Sequence, residues 1–316
     1  DWGIKDGKVV HVEDNFYHKS QTSLNHYWTI SDKSDLSTSL YASWGTGGGG
    51  GAAGDYSLFN VRLGGSDQPM DLDHIVDVNR ANGALGSVAY LRASRNDHEW
   101  YGMLSTFKTE LNDNLHLVAG VDLRTYTGKH FSEVTDLLGG AYVLENSDVN
   151  NPDRIAKVGD KRDYYNDGEV GWQGLFSQLE YENGKISAFA SAAVSNTSYR
   201  RIDYFQYEDD NDLQTTDKYN FSGYSIKGGA NYNLNDEHNI FANIGYFEKA
   251  AGFDAVFQNY DNEHINENAE NQKIFSVEFG YGYRSATFAA NLNVYRTEWN
   301  DRTFTRSLGN IDGVAY

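Results

Sequence analysis

The sequence predicts an all-β protein, a transmembrane antiparallel up-and-down β-barrel of which about ten strands are present. Three observations predict this fold class. Apolar and polar residues alternate in many segments, and short and long connections alternate between those segments. Aromatic residues also recur on the apolar side of a segment just before a short connection.

Alternation with a period of two marks the strands, because successive side chains of a strand point to opposite faces. In the segment 115–124, for example, Leu117, Ala119 and Val121 fall on one face, and Asp122 and Arg124 fall on the other. Similar segments lie within 36–44, 186–195, 224–234, 240–246, 272–283 and 287–299. Several reach the roughly 9–11 residues that a tilted strand needs to cross a bilayer.

The connections between these strands alternate in length. Short turns are predicted at 31–35, 112–114, 182–185, 235–237 and 284–285, and long connections at 46–98, 127–167, 205–218 and 248–270. Outer-membrane barrels place short turns on the periplasmic side and long loops outside, whereas a soluble sandwich has no reason for this alternation.

Aromatic residues on the apolar faces indicate where the membrane surface lies. Trp28, Tyr181, Tyr232 and Tyr283 each precede a short turn. Rings at that depth form an interfacial girdle in outer-membrane barrels. The opposite faces carry Asn, Ser, Gly and charged residues, which predicts a wide, water-filled or plugged interior rather than a small barrel packed with apolar side chains.

Composition excludes several classes of protein. Lys and Arg number 26 against 45 Asp and Glu, so the net charge of −19 disfavours nucleic acid as a partner. No Cys is present, which excludes disulfides and thiolate metal sites. The mean hydropathy is −0.64 and no run of about 18 apolar residues occurs, so no transmembrane helix is predicted.

The two ends of the sequence have no features of a processing signal or of a terminal strand. Residues 1–4 lack the basic start and apolar core of a signal peptide. Residues 309–316 have the composition of the middle of a segment. We therefore expect residues 1–316 to be part of one outer-membrane β-barrel domain of a longer chain.

Motifs in the last third of the sequence resemble a known family. An aromatic-rich segment at 239–259 precedes Ser276-Val277-Glu278-Phe279-Gly280, a Ser-x-Glu-x-Gly pattern, and then the strand-like Ala290–Tyr295. These segments, together with 23–28 and 199–204, resemble the barrel domain of TonB-dependent receptors of the carboxypeptidase-regulatory-like subgroup. The resemblance runs from about residue 17 to about residue 306.

The resemblance implies a barrel of about 22 strands that an N-terminal plug closes. It implies uptake of a scarce nutrient such as an iron–siderophore, vitamin, glycan or peptide, driven through the TonB complex. The expected surroundings are outer-membrane lipid and lipopolysaccharide in a Gram-negative outer membrane, with a surface lipoprotein as a further partner. Nucleic acid is not an expected partner.

The sequence also departs from the family, and two other functions stay open. Asn271-Gln272 stands where the family often has Pro-Glu, and no plug, TonB box or closing strand is present. A passive porin-like channel is one alternative. A barrel that serves as a scaffold subunit of a larger outer-membrane complex is the other.

No catalytic grouping is visible, so the sequence predicts no enzyme and no cofactor. The nine His residues form no HExxH motif, and no Gly-x-Ser-x-Gly elbow occurs. The glycine run Gly45–Gly51 lacks the Lys-Ser/Thr of a phosphate loop and is expected to be a mobile loop at the end of a strand.

An acidic cluster in a predicted outer loop is a candidate cation site. Its residues are Glu208, Asp209, Asp210 and Asp212. Clustered carboxylates can hold Ca²⁺ or bridge through divalent ions to lipopolysaccharide, although the twelve-residue calcium-loop pattern is absent. The alternative is an acidic loop that is simply solvated.

Candidate ligand-binding residues lie on the predicted interior faces and in the outer loops. Asp122, Arg124 and Glu278 face the interior, where they line the path of a ligand or form a polar network against the plug. The aromatic candidates are Tyr126, Phe205, Tyr207, Phe253 and Phe257. Their rings could stack on a sugar or an aromatic ligand, or pack the loops together.

Overall fold

The computed structural model describes residues 1–303, 310–311 and 314–315, and its main feature is one antiparallel sheet of ten long strands. We number these strands in chain order: β1 Asn15–Ser31, β2 Ser34–Gly54, β3 Ala89–Asn112, β4 Leu115–Asp136, β5 Lys161–Glu182, β6 Ile186–Asp203, β7 Tyr219–Asn233, β8 His238–Lys249, β9 Gln272–Arg284 and β10 Ala289–Asn300. Each strand pairs with its neighbours in sequence, so the up-and-down order is confirmed and β1 and β10 are the edges.

The pairing register joins the apolar sides of the strands into one continuous face. Residues directly opposite in an antiparallel pair share a face, and Gly228 of β7, Ile244 of β8 and Val277 of β9 form one such row. Ile244 is 55% exposed and Leu292 of β10 is 65% exposed. We call this side of the sheet the apolar face. Large exposed apolar areas of this kind need a non-aqueous neighbour.

Aromatic residues lie in two rows along the apolar face. The row near the short turns contains Trp28, Tyr181 and Tyr232, which are exposed, and Tyr283, as the sequence predicts. A second row lies toward the long loops, where Tyr224 precedes Tyr232 by eight residues and Phe275 precedes Tyr283 by the same interval. Eight residues span about 26 Å along a strand, which is about 20 Å across a membrane at a typical barrel tilt.

The five short turns lie where the sequence predicts them, but the strands extend further into the long connections than expected. The long connections are residues 55–88, 137–160, 204–218 and 250–271, which we call outer loops A, B, C and D. The largest difference concerns loop A. The sequence predicts a loop over 46–98, whereas β2 occupies the start of this range and β3 occupies its end.

The expectation that Gly45–Gly51 is a mobile loop is wrong. This run lies inside β2 and pairs with both β1 and β3. The glycines leave room for neighbouring rings: a Cβ atom on Gly45 would lie 2.3 Å from Cε1 of His98, and one on Gly47 would lie 2.3 Å from Cδ2 of Tyr17. The hydrogen bonds between paired strands involve only backbone groups, so glycine is compatible with a strand wherever side chains of the adjacent strands cover it.

The long loops fold over the outer ends of the strands with small elements of their own. These are strands Met70–Asp71, Val143–Glu145 and Arg154–Ala156, helices α1 Leu72–Asn82 and α2 Phe253–Val256, and 3₁₀ turns Tyr56–Asn60, Gly83–Leu85 and Asp212–Gln214. Strands Trp2–Lys5 and Lys8–His11 precede β1 and pair with each other, and Trp2–Lys5 also pairs with Met70–Asp71 of loop A. Two short strands, Asn310–Ile311 and Val314–Ala315, pair near the end of the chain. The buried cores of the described residues lie in this region, around Leu72, Val134 and Phe257.

None of the helices in the described part of the chain is long and apolar enough to cross a membrane.

Candidate functional site

The side of the sheet opposite the apolar face carries the polar residues, and we call it the interior face. Glycine and aromatic residues alternate across neighbouring strands there. A Cβ atom on Gly102 would lie 2.2 Å from the Tyr41 ring, and one on Gly120 would lie 2.4 Å from the Phe176 ring. Each ring therefore lies over a glycine of the adjacent strand. The absence of a side chain on the glycine leaves room for the ring and fixes the orientation of the ring.

Six rings gather on the interior face around the middle of strands β3, β4 and β5. We call this group the aromatic patch: Tyr17, Tyr41, His98, Trp100, Tyr126 and Trp172. The strand register brings them together, since one row of directly paired residues runs Ser43, Trp100, Tyr126, Val170 and the next runs Tyr41, Gly102, Arg124, Trp172.

The rings of the patch contact one another in edge-on and tilted arrangements. The Trp100 and Tyr126 centroids are 6.1 Å apart at 87°, and those of His98 and Tyr126 are 5.8 Å apart. Tyr17 continues the series, with its Oη 3.1 Å from Nδ1 of His98. Such packing holds the rings in fixed positions, which preorganises an apolar surface for a planar ligand.

Two cations accompany the patch. The Arg124 guanidinium lies 5.9 Å from the Trp172 ring, and its Nε donates to Oδ1 of Asp122 at 2.9 Å. The Lys19 ammonium lies 5.9 Å from the Trp100 ring. The sequence predicts that Asp122 and Arg124 lie on the interior side, and the strand register places both on the same face of β4 as Tyr126.

Four buried polar atoms of this region have no hydrogen-bond partner among the described residues. They are Oγ of Ser43, Nε2 of His98, Nε1 of Trp100 and Nε1 of Trp172. Ser43 is only 4% exposed and pairs directly with Trp100. Buried polar groups are usually satisfied, so four unsatisfied atoms in one small area indicate unused hydrogen-bonding capacity at the patch.

Glu278 faces the interior as expected, but it lies apart from the patch. Its carboxylate accepts from Nδ2 of Asn243 at 3.1 Å and from Nδ2 of Asn293 at 3.2 Å. It belongs to a polar network across β8, β9 and β10. Contact of this network with a plug, or with a ligand on its path, stays a prediction.

The outer-loop aromatics pack inside the loops. Phe205, Tyr207 and Phe257 are buried, and Phe253 contacts Phe257 with ring centroids 4.6 Å apart. In this arrangement they do not offer a ring face to a ligand, so the packing alternative describes them. Contact of these four rings with a ligand stays a prediction, and it requires the loops to open.

The acidic cluster of loop C is not gathered into a cation site. Oδ1 of Asp209 accepts from Nε2 of Gln214 at 2.9 Å. Among the described residues, no group of three or more His, Asp or Glu side chains is placed to hold a metal ion. Calcium binding by Glu208, Asp209, Asp210 and Asp212 stays a prediction, which calorimetric titration of the whole protein with Ca²⁺ would test.

Sequence reasoning missed most of the patch, because Tyr17 was not assigned to a strand and His98 was assigned to the end of a long loop. A signal was available. Every second residue from 98 to 104 points to one face of a strand. The residues between them include Tyr101 and Met103, which with Phe107 form the opposite, apolar face.

Comparisons with known proteins agree with this architecture. The family model described as TonB dependent receptor-like, beta-barrel matches residues 5–316. No protein with a curated description matches the sequence. The family is one of receptors and transporters rather than enzymes, as the sequence predicts.

Solved structures of low sequence identity share the fold. The copper transporter OprC aligns with a TM-score of 0.61 and 15% identity over 90% of this chain and 39% of its own. The unliganded ferric citrate transporter FecA gives 0.58 and 8% over 91% and 35%. The ferric-catecholate import receptor Fiu of E. coli K12 gives 0.57 and 11% over 96% and 43%.

The chain thus spans well under half the length of these structures. The family match covers nearly all of the sequence and contains the whole segment from about residue 17 to about residue 306 that carries the resemblance. Residues 304–306 of that segment lie outside the described residues. With its apolar outer face and polar interior, the chain belongs to the β-barrel family of TonB-dependent receptors.

Proposed function

We propose that this chain is the barrel part of a receptor in a Gram-negative outer membrane that imports a scarce nutrient with energy supplied through TonB. The observation that carries the proposal is the two-sided sheet. Its continuous apolar face suits lipid, and its interior face combines a polar wall with the aromatic patch. Residues 1–316 are then one part of a single barrel domain.

The aromatic patch is the proposed contact surface for the ligand. Its rings supply flat apolar area, and Trp100 and Tyr126 form its centre. Arg124 and Lys19 add positive charge, and the four unsatisfied buried atoms add hydrogen-bonding capacity. A surface of this type combines apolar contact with a few directed polar groups, which is the usual composition of a small-molecule site.

The similar structures support import as the role, since their names describe transporters of ferric citrate and copper and an import receptor for a ferric catecholate. Which ligand this chain takes, and its coupling to TonB, are proposals. So are contacts with lipopolysaccharide and with a surface lipoprotein. Each follows from the family rather than from a contact in this structure.

Uptake by a deletion strain tests the proposal. Cells that lack the whole protein are compared with wild-type cells for uptake of ferric citrate, a ferric catecholate, Cu²⁺, cobalamin, oligosaccharides and peptides. We expect loss of at least one activity, which a plasmid copy of the wild-type gene restores. Unchanged uptake of every compound would count against import.

Two variants then locate the contact surface. Trp100→Ala with Tyr126→Ala removes the centre of the patch and should weaken uptake at limiting ligand at least ten-fold. Tyr27→Ala is the matched control, because Tyr27 lies on the interior face near the short turns and is 80% exposed. Steady ion conductance of the purified whole protein in planar bilayers would instead favour the passive-channel alternative.

A further inference from the structure

Side chains of three asparagines tie the four outer loops to one another. Asn79, Asn150 and Asn262 each belong to one loop and hydrogen-bond the backbone of a neighbouring loop. A side-chain amide can donate twice and accept twice, so a single asparagine can replace several backbone bonds between segments that form no common sheet.

Asn79 joins loop A to loop B. It lies in α1 and is buried, and its Nδ2 donates to the carbonyl oxygen of Leu138 at 2.8 Å and to that of Ala89 at the same distance. Its Oδ1 accepts from the backbone N–H of Val88 at 2.9 Å. The start of β3, the end of loop A and the beginning of loop B therefore share one anchor.

Asn150 joins loop B to loop C. Its Nδ2 donates to the carbonyl oxygen of Tyr207 at 3.0 Å, and its Oδ1 accepts from the backbone N–H of Asp209 at 2.9 Å. The neighbouring N–H of Val149 donates to the carbonyl oxygen of Phe205 at 3.0 Å. These three bonds fix the tips of the two loops against each other.

Asn262 joins loop D to loop C and to strand β6. Its Nδ2 donates to the carbonyl oxygens of Leu213 at 2.7 Å and Gln214 at 3.0 Å, and its Oδ1 accepts from Nη1 of Arg201 at 2.7 Å. Asn262 is 5% exposed and Arg201 is buried with Asp203. Loss of this asparagine would leave buried polar groups unpaired, which costs more than the bonds themselves contribute.

Loop D also folds over the interior face beside the aromatic patch. The Tyr199 hydroxyl donates to the carbonyl oxygen of Ala251 at 2.8 Å, and a Cβ atom on Gly168 would lie 3.2 Å from Cζ of Phe253. Tyr199 shares a row of paired residues with Val170 and Tyr126. Loop D thus covers the part of the interior wall next to the patch.

We infer that outer loops A to D form one body that the three asparagines hold together, so that a change in one loop spreads to loops that it does not contact. This mechanical coupling does not depend on the proposed function. Asn79, Asn150 and Asn262 are positioning residues in this scheme.

Hydrogen exchange of backbone amides in the whole protein, purified without ligand, tests the coupling. Asn262→Asp keeps an acceptor for Arg201 but removes both donors to loop C. Asn262→Ala removes both functions. Asn150→Ala is the milder second variant, because Asn150 is exposed. Asn266→Ala is the matched control, because Nδ2 of Asn266 donates to the carbonyl oxygen of Ala255 within loop D.

We expect Asn262→Asp to raise exchange about ten-fold in loops C and D and also to raise it in loop B around residues 149–151, which Asn262 does not touch. Asn150→Ala should in turn raise exchange in loop D. The control should change loop D alone. If each substitution affects only the two loops that it contacts, the single-body inference is overturned, while uptake measurements decide the import proposal separately.

Discussion

A charge placed on the apolar face of the sheet should destabilise the barrel, and the same charge one residue along the strand should not. Ile244 and Asn243 are neighbours in β8 that point to opposite faces. Ile244 lies on the apolar face in the row midway between the two aromatic rows, and Asn243 lies on the interior face, where it donates to Glu278 at 3.1 Å. They form a matched pair for substitution by arginine.

The magnitude follows from depth in the membrane. At the bilayer midplane an arginine on the lipid side of a barrel costs about 2–4 kcal/mol, and near the interface it costs about 0–1 kcal/mol. Ile244→Arg should therefore cost about 2–4 kcal/mol. Ile240→Arg, four residues toward the Tyr232 row, should cost about 1 kcal/mol or less, because it lies roughly 10 Å closer to the membrane surface. Asn243→Arg should cost little, since it reaches the interior beside the Glu278 carboxylate.

The assay is equilibrium unfolding of the whole protein in urea after insertion into phospholipid vesicles, followed by tryptophan fluorescence and by the gel mobility of folded and unfolded forms. Equal losses for Ile244→Arg and Asn243→Arg, or a larger loss for Asn243→Arg, would refute the assignment of the two faces. Equal losses of unfolding free energy for Ile244→Arg and Ile240→Arg would refute the assumed difference in depth between the two positions.

Two further outcomes are expected. Gly120→Val should cost about 1–3 kcal/mol of unfolding free energy because its side chain would displace the Phe176 ring, whereas Gly252→Ala, with no neighbour within 4 Å of its Cβ, should be close to neutral in the same urea titration. Arg201→Met should destabilise loops C and D more than Arg201→Met combined with Asp203→Asn, since the single change leaves a buried carboxylate unpaired, and limited proteolysis would report the difference.

The sheet was predictable because its signal is local. Leu117, Val121 and their neighbours alternate with polar residues along the chain, and Asn183-Gly184 marks a tight turn. The extent of the strands was less predictable. Gly45–Gly51 carries no alternating side chains, and its place in β2 depends on rings from β1 and β3 that only the register brings near.

The site was predictable only in part. Asp122, Arg124 and Tyr126 were found because they follow an evident strand, whereas Trp100 and Trp172 join them through pairing across β3, β4 and β5. The loop contacts were beyond the sequence, since nothing near Asn150 or Asn262 indicates which distant carbonyl each one binds. The burial of Phe205 and Phe257 has the same origin.

The spacing of the two aromatic rows has a consequence for the choice of membrane. With about 20 Å between the two rows, the apolar band is about 10 Å shorter than the hydrocarbon core of a typical bilayer of about 30 Å. Lipids with long acyl chains would have to compress around β7, β8 and β9, at a cost that grows with each ångström of mismatch. Insertion should therefore proceed fastest into vesicles of short-chain lipids, and the protein should collect in the thinner regions of a mixed bilayer.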